Sequence, residues 1–362
     1  PLASTFVLSK KVGNEAYVEP VILGRGGYSF VVKTGKCPAE LANGTSAGKM
    51  AAFTCILSGT PIDYDYIRTE AQAKRLKQCL MAIVAEGPKG RIYLSPSCKQ
   101  SKWADNAESS WEPSGFLPEK ALSFRVQTYG MKEWRNLYTQ RQLLALTTFS
   151  NLIANDDDPS STVVHKAAQD AIAAGLPDDN ISLSQGGTGA RAYGEAIGLY
   201  MAFVVDKCAD YWSTICTWHN SRQTIGHVFT RQAMPMTWDF AEANPFGAAS
   251  GNWTNMLMWV SKSVEALPRH SSGAVFQAAA QSQSISQGKV ISTDPPYYDN
   301  VGYADLSDYF YVWLRHNVSD IFPDVCGTLA TPKKEELIAS QYRQGSKAKA
   351  EEFFLSGMTE VM

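Results

Sequence analysis

Apolar and polar positions in the first hundred residues alternate in short runs punctuated by Gly and Pro. "AYVEPVIL", "YSFVVKTG", "AAFTCILSG" and "GRIYLSP" each read as strands. One helix is predicted among them, over Ile67–Val84, with Ala73, Leu76, Leu80, Ile83 and Val84 along one stripe. Residues 100–120 contain "SKWADNAESSWEPSGFLPEK", polar and turn-rich, and read as an exposed connection.

From about Lys132 the period changes to that of helices. "EWRNLYTQRQLLALTTFSNLIA" predicts an amphipathic helix stopped by "NDDDPSS", and "TGARAYGEAIGLYMAFVVDKCADYW" predicts a long, largely buried one. The glycine-rich opening of the second could receive an anion or simply start a helix. A further helix is predicted over Asn252–Leu267. The low-complexity stretch "AVFQAAAQSQSISQGK" then leads into "KVIST", which reads as a strand. The next helix is signalled by Asp305 as cap with Asp308 three residues on. Leu306, Tyr309, Phe310, Trp313 and Leu314 form its apolar face, and Arg315 and His316 lie at its C-terminal end. These elements place the chain in the α/β class and divide it into a β-rich or mixed module (1–125), a mainly helical part (126–285) and a third part (286–362).

Composition narrows the picture without deciding it. The chain has 362 residues, 44% hydrophobic and 19% charged, enough for two or three domains. A formal net charge of −2 means that any contact with nucleic acid must rest on a local basic patch. Arg222, Arg231 and the Lys333–Lys334 pair are candidates for phosphate contacts or for plain solvated surface. The longest apolar run, around Ala196–Val205, is far shorter than the ~20 residues of a membrane span, and no secretion signal is visible. Seven cysteines, an odd number with no C-x-x-C pair, fit a reducing cytoplasm better than a disulfide framework. The opening at Pro1 and the helical ending "EEFFLSGMTEVM" read as parts of something longer.

Between the "KVIST" run and the last helix stand Asp294-Pro295-Pro296-Tyr297. A double proline ends any ladder and confines both residues that precede a proline. An ionised Asp294 and the Pro295 carbonyl would then be two hydrogen-bond acceptors held at fixed positions. That arrangement suits an exocyclic amine of adenine or cytosine. Its lone pair is delocalised into the ring, and two acceptors on its N–H groups can redirect that pair toward an electrophile. Tyr297 offers a face on which an unstacked base can lie. The plainer alternative is a proline turn that ends a buried strand, with Tyr297 and Tyr298 as core aromatics.

The tetrad resembles the D-P-P-Y motif of the S-adenosylmethionine-dependent amino-methyltransferases. Its setting, "STDPPYYDNVGYADLSDYFYVWLR", is similar to the large adenine-specific DNA methylases whose N-terminal region carries domain of unknown function 1156. "LSKKVGNEAYVEPV", "LSGTPIDYDYIRTEAQAKRLKQCLMAIVAEG", "LYTQRQLLALTTFSNL", "FTRQAMPMTWDFAEANPF" and "TPKKEELIASQYR" extend the likeness over most of the chain. The resemblance implies a Rossmann-like methyltransferase sheet, incomplete in this chain, with a long insertion. It implies S-adenosylmethionine as methyl donor, DNA as partner, and Asp294, Pro295, Pro296 and Tyr297 as the catalytic group. Other proteins of a modification or phage-defence system are further expected partners; a membrane is not. The family's glycine-rich donor-binding motif would lie upstream of Pro1, so this chain alone is expected not to methylate. "SQGGTGAR" follows no convincing strand and does not replace that motif. Where relatives often carry C-x-x-C near "FTCILSG", here Ser58 follows Cys55, and no intact metal site is expected.

Secondary candidates are open to two readings each. Gln140 stands in place of proline in "LYTQRQLLA", which resembles the family's T-P-R-Q-L segment; Thr139 there either borders the methyl donor or caps a helix. Asp239, Glu242 and Asn244 in "MTWDFAEANPF", with Tyr298, either line the substrate cleft or serve as polar loop and packing residues. Cys216 has His219, His227 and Arg231 nearby in sequence, but structural roles are expected for them. An RNA base or a cytosine amine would satisfy the same tetrad. A non-catalytic scaffold is the alternative from another class.

Overall fold

Two eight-residue strands, β2 (Ala16–Leu23) and β3 (Gly27–Thr34), pair antiparallel from Ala16 opposite Thr34 to Leu23 opposite Gly27. Their alternation buries Ala16, Val18 and Phe30 on one face, where Phe6, Leu8 and Tyr93 complete a small core. A short β1 (Val7–Ser9) completes the sheet on the β2 side. This computed structural model describes residues 1–48, 52–155, 158–268 and 273–361. Two further hairpins follow: β4 (Phe53–Thr54) with β5 (Pro61–Ile62), and β6 (Ile83–Gly87) with β7 (Gly90–Leu94). Between them lies α1 (Tyr64–Gln72), capped by Asp63.

The helix predicted over Ile67–Val84 therefore ends twelve residues early, by the positions of Gln72 and Val84, and its last two residues belong to β6. Lys74 takes a left-handed φ of 58°, and Arg75 N–H donates back to Glu70 O at 2.9 Å, closing the helix without a glycine. Leu76 and Leu80, which made the pattern look continuous, are exposed. A second correction concerns residues 100–120. A short helix, α2 (Cys98–Asp105), opens this stretch, and Leu117 is fully buried. Trp111 stacks on His316 at 3.8 Å and donates from its indole N–H to Asn151. Two anchors in a polar run are enough to tie it down, and an average over the segment hides them.

The helical part centres on α5 (Ala190–Ala209), against which α3 (Gln140–Ser150), α4 (Val163–Ala173), α6 (Trp253–Glu265) and α7 (Tyr303–Val318) pack. Gly194 and Gly198 permit the close α4 contact: a Cβ on Gly194 would lie 2.5 Å from Val164 O, and one on Gly198 2.5 Å from Val164 Cγ2. The glycine-rich turn before α5 is filled from within the chain. Asp179 Oδ1 lies where a Cβ on Gly189 would stand, and Glu195 accepts from Leu183 N–H at 2.6 Å. A small hairpin, β8 (Trp218–His219) and β9 (Thr224–Ile225), leads away from α5. The main core joins Leu143, Leu146, Val204, Cys208 and Trp212 to Tyr309 and Trp313 of α7. Short α8 (Pro323–Cys326) and α9 (Gln341–Gln344) precede the final α10 (Lys347–Val361).

The chain is thus mixed α/β, with small antiparallel sheets, several helices and, among the described residues, no closed barrel. No described helix is long and apolar enough to cross a membrane. The strand predicted for "KVIST" does not form: Lys289–Thr293 pairs with no described strand, and Val290 and Ile291 are exposed. A strand is a property of a ladder, and no neighbour offers its N–H and C=O groups here.

One buried group in α5 sets a pH dependence. Asp206 Oδ1 is buried without a hydrogen-bond partner, although the residue is partly exposed through other atoms, and burial pushes its carboxyl well above the ordinary value of 3.8. The folded state prefers the protonated form. The contribution of this group to stability is therefore complete below pH 3.8 and is lost as pH rises through the elevated folded value. Asp206→Asn is expected to stabilise the protein at about pH 7.5 by on the order of 1–2 kcal/mol, with a smaller gain at about pH 5, measured by urea unfolding at both.

Candidate functional site

The Asp294–Tyr297 loop takes its place from the helix that follows it. In α7, Tyr309 donates its hydroxyl to Ala209 O at 2.6 Å, and Trp313 donates its indole N–H to Tyr138 Oη at 3.0 Å. Both rings are fully buried, which fixes the start of α7 against α5. That helix starts at Tyr303, with Gly302 at the cap, three residues before the cap predicted at Asp305. Gly302 has no side chain to cap with, so Glu336 does so from outside, its Oε1 accepting from Ala304 N–H at 3.0 Å.

Asp305 and Asp308 lie inside α7 and serve a strap formed by residues 331–343. Asp308 accepts from Thr331 N–H (2.8 Å), Thr331 Oγ1 (2.7 Å) and Lys333 Nζ (2.6 Å). Asp305 pairs with Arg343 Nη2 at 3.0 Å, and the other arm of the same guanidinium reaches Glu336. Burial pushes the Asp305 carboxyl up, against the pull of Arg343. The strap also reaches the loop directly, since Ala339 N–H donates to Tyr298 O at 2.8 Å.

Within this frame the tetrad is open. Asp294 is exposed, and its carboxylate makes no hydrogen bond or ion pair among the described residues; the Pro295 carbonyl accepts none either. Pro296 O accepts from Tyr298 N–H and Tyr297 O from Asn300 N–H, tight turns that set the loop's path. Tyr297 is 58% exposed, with one edge against Tyr303 at 6.4 Å between centroids. Tyr298 turns away from it and rests edge-on against Phe354.

Tyr297 and Asn300 help to line an open cleft of about 530 Å³. Ser123, Arg125, Arg231 and Gln232 line the same cleft. Those two segments are bound together: Arg125 N–H donates to Met234 O (3.0 Å) and Met234 N–H to Ser123 O (3.2 Å), with Phe124 and Met234 buried beneath. Arg231 was visible in the sequence as a phosphate candidate. Arg125 carried no local signal, because its partner segment lies more than a hundred residues away and only the Phe124–Met234 bridge unites them.

The remaining candidates are engaged elsewhere. Thr139 is 3% exposed and caps α3, accepting from Gln142 N–H while Gln142 Oε1 accepts from Thr139 N–H. Asp239 accepts from Ser4 Oγ at 2.7 and 2.9 Å, Glu242 holds Arg141 through two bonds of 2.8 and 2.7 Å, and Asn244 closes a turn onto Phe246 N–H. Lys333 is committed to Asp308. Cys216 is buried beside Ser213, and its thiol is pushed up to about 11 by burial, which suits an inert core residue. Among the described residues no three His, Cys, Asp or Glu side chains come together as a metal site would need.

The clamp on Arg343 generates a direct test. Arg343→Ala leaves Asp305 and Glu336, about nine-tenths buried, without their cation and loosens the strap that caps α7. A loss of about 3 kcal/mol in urea unfolding is expected, with Arg343→Lys recovering only part of it because the two-armed geometry is gone. Compared with protein-family models, curated proteins and solved structures, the chain matches none.

Proposed function

We propose that this chain carries the amine-holding part of an S-adenosylmethionine-dependent amino-methyltransferase that acts on adenine in DNA. In this reading the tetrad belongs to a Rossmann-like methyltransferase fold and is entered from Lys289–Thr293, which pairs with no described strand here. The observation that carries the proposal is the pair of unused acceptors. The Asp294 carboxylate and the Pro295 carbonyl stand free and exposed in a chain whose other candidate carboxylates, Asp239 and Glu242, are occupied. Free acceptors are what a substrate NH₂ group needs. Two consecutive prolines restrict the loop's own backbone, which keeps the carbonyl acceptor in one direction before the amine arrives.

The substrate amine donates one hydrogen bond to Asp294 and one to the Pro295 carbonyl, which draws its lone pair out of conjugation with the ring. Tyr297, more than half exposed, gives the extruded base a surface to stack on. The residues described here do not fit the methyl donor. Thr139, the one candidate for it, is buried and its hydroxyl is used in the helix cap. No step is therefore assigned to the donor, and the chemistry of this chain is confined to binding and orienting the amine.

The test is methyl transfer from labelled S-adenosylmethionine to adenine-containing DNA by the full reading frame that encodes this chain. Asp294→Ala and Asp294→Asn are expected to lower the rate by about 100-fold or more while leaving the fold intact by circular dichroism. Equal rates in wild type and Asp294→Ala would remove Asp294 from the chemistry.

A further inference from the structure

Two guanidinium groups on one wall of the Tyr297 cleft have no partner. Neither Arg125 nor Arg231 makes a side-chain hydrogen bond, ion pair or ring contact among the described residues, and both are exposed. Most other described arginines are spent. Arg68, Arg75, Arg135, Arg141, Arg191 and Arg343 all hold carboxylates. No carboxylate lines this cleft, even though the chain as a whole carries a net charge of −2. Ser123, Gln232 and Asn300 add neutral hydrogen-bonding groups around the two cations.

The frame behind the cations is firm. The reciprocal bonds between Ser123, Arg125 and Met234 hold both arginine-bearing segments side by side over buried Phe124 and Met234. The same cleft presents the Tyr297 ring. Two cations and a half-exposed tyrosine lining one open cleft match the chemistry of a phosphate backbone with an unstacked base, because arginine forks bind phosphate oxygens and every base has a face to stack.

We propose that this cleft binds a single strand of DNA, with Arg125 and Arg231 on its phosphates and Tyr297 against a base. The inference rests on the function proposed above for the identity of the strand. It is tested by binding alone, so that either can fail without the other. Anisotropy of a fluorescein-labelled, adenine-containing 12-nucleotide single strand is followed over a series of salt concentrations. The wild-type chain is expected to bind. Arg125→Gln with Arg231→Gln should weaken binding by about 10-fold or more and reduce the slope of log K against log salt by about 1.4, or about 0.7 for each phosphate lost. Tyr297→Ala should weaken binding by about 10-fold with the slope unchanged, since stacking releases no counterions. Lys36→Gln with Lys89→Gln, which removes two exposed cations elsewhere, should change neither quantity beyond error. No binding by the wild type, or an unchanged slope and affinity in the double arginine variant, overturns the proposal. So does a control variant that loses as much as the arginine variant. Intact binding by this chain with no methyl transfer by the full reading frame leaves this inference standing and removes the function proposed above.

Discussion

The structure depends above all on the burial of two aromatic rings from one helix. Tyr309 and Trp313 project from α7 into the space between α5 and Tyr138, and each places its polar atom on a partner inside that core. A buried Tyr or Trp without a partner for its O–H or N–H would cost free energy, so both bonds are conditions of this packing as well as contributions to it. Because the two rings fix the axial position and rotation of α7, they also fix where the chain enters it. The Asp294–Tyr297 loop lies just ahead of that entry, so its location is a consequence of core packing at Tyr309 and Trp313, twelve or more residues along the chain.

Electrostatics then decides which groups remain free for a ligand. Around the N-terminus of α7 the acids are consumed: Asp305 and Glu336 hold Arg343, Asp308 holds Lys333 and Thr331, and Glu336 also caps the helix. Such a clamp is costly to break once formed, because each removed partner strands a charge in a poorly solvated place. The neighbouring loop has the opposite character. Asp294 on it, and Arg125 and Arg231 in the cleft that Tyr297 lines, have no side-chain partner among the described residues. A rigid, saturated network beside an unsatisfied set of charges is the arrangement that a binding site requires, since only the second set can gain by meeting a ligand.

Much of the local structure was legible along the chain. Val18 and Phe30 alternate with solvent-facing neighbours, and their strands form where that alternation places them. Thr139 and Asn252 precede apolar periodicity and cap the helices they announce. The readings that failed share a cause. Leu76 and Leu80 continue a helical period that the chain abandons at Lys74, where one backbone bond from Arg75 to Glu70 turns it out of the helix. Trp111 and Leu117 sit in a stretch whose mean polarity concealed them. Each of these outcomes turned on a partner or on a single backbone angle, neither of which a hydrophobic period records.

The same division holds for the site. Short-range physics is enough to mark Asp294-Pro295-Pro296-Tyr297 as a stiff, acid-bearing corner, because proline acts on its own residue and on the one before it. The sequence by itself thus determined the mixed α/β class, the strand runs of β2 and β3, the helices α3, α5, α6 and α7, and the chemistry on offer at that corner, whereas the pairing of β2 with β3 and the helix α4 appeared only in the structure. Only tertiary structure decided that Asp239, Glu242 and Lys333 are spent while Asp294 is not, and that Arg125 and Arg231 line one cleft with Tyr297. The reason is distance along the chain. Capping and proline effects act over one to four residues, whereas these pairings bridge from 25 to more than 200 residues and exist only once the core has closed.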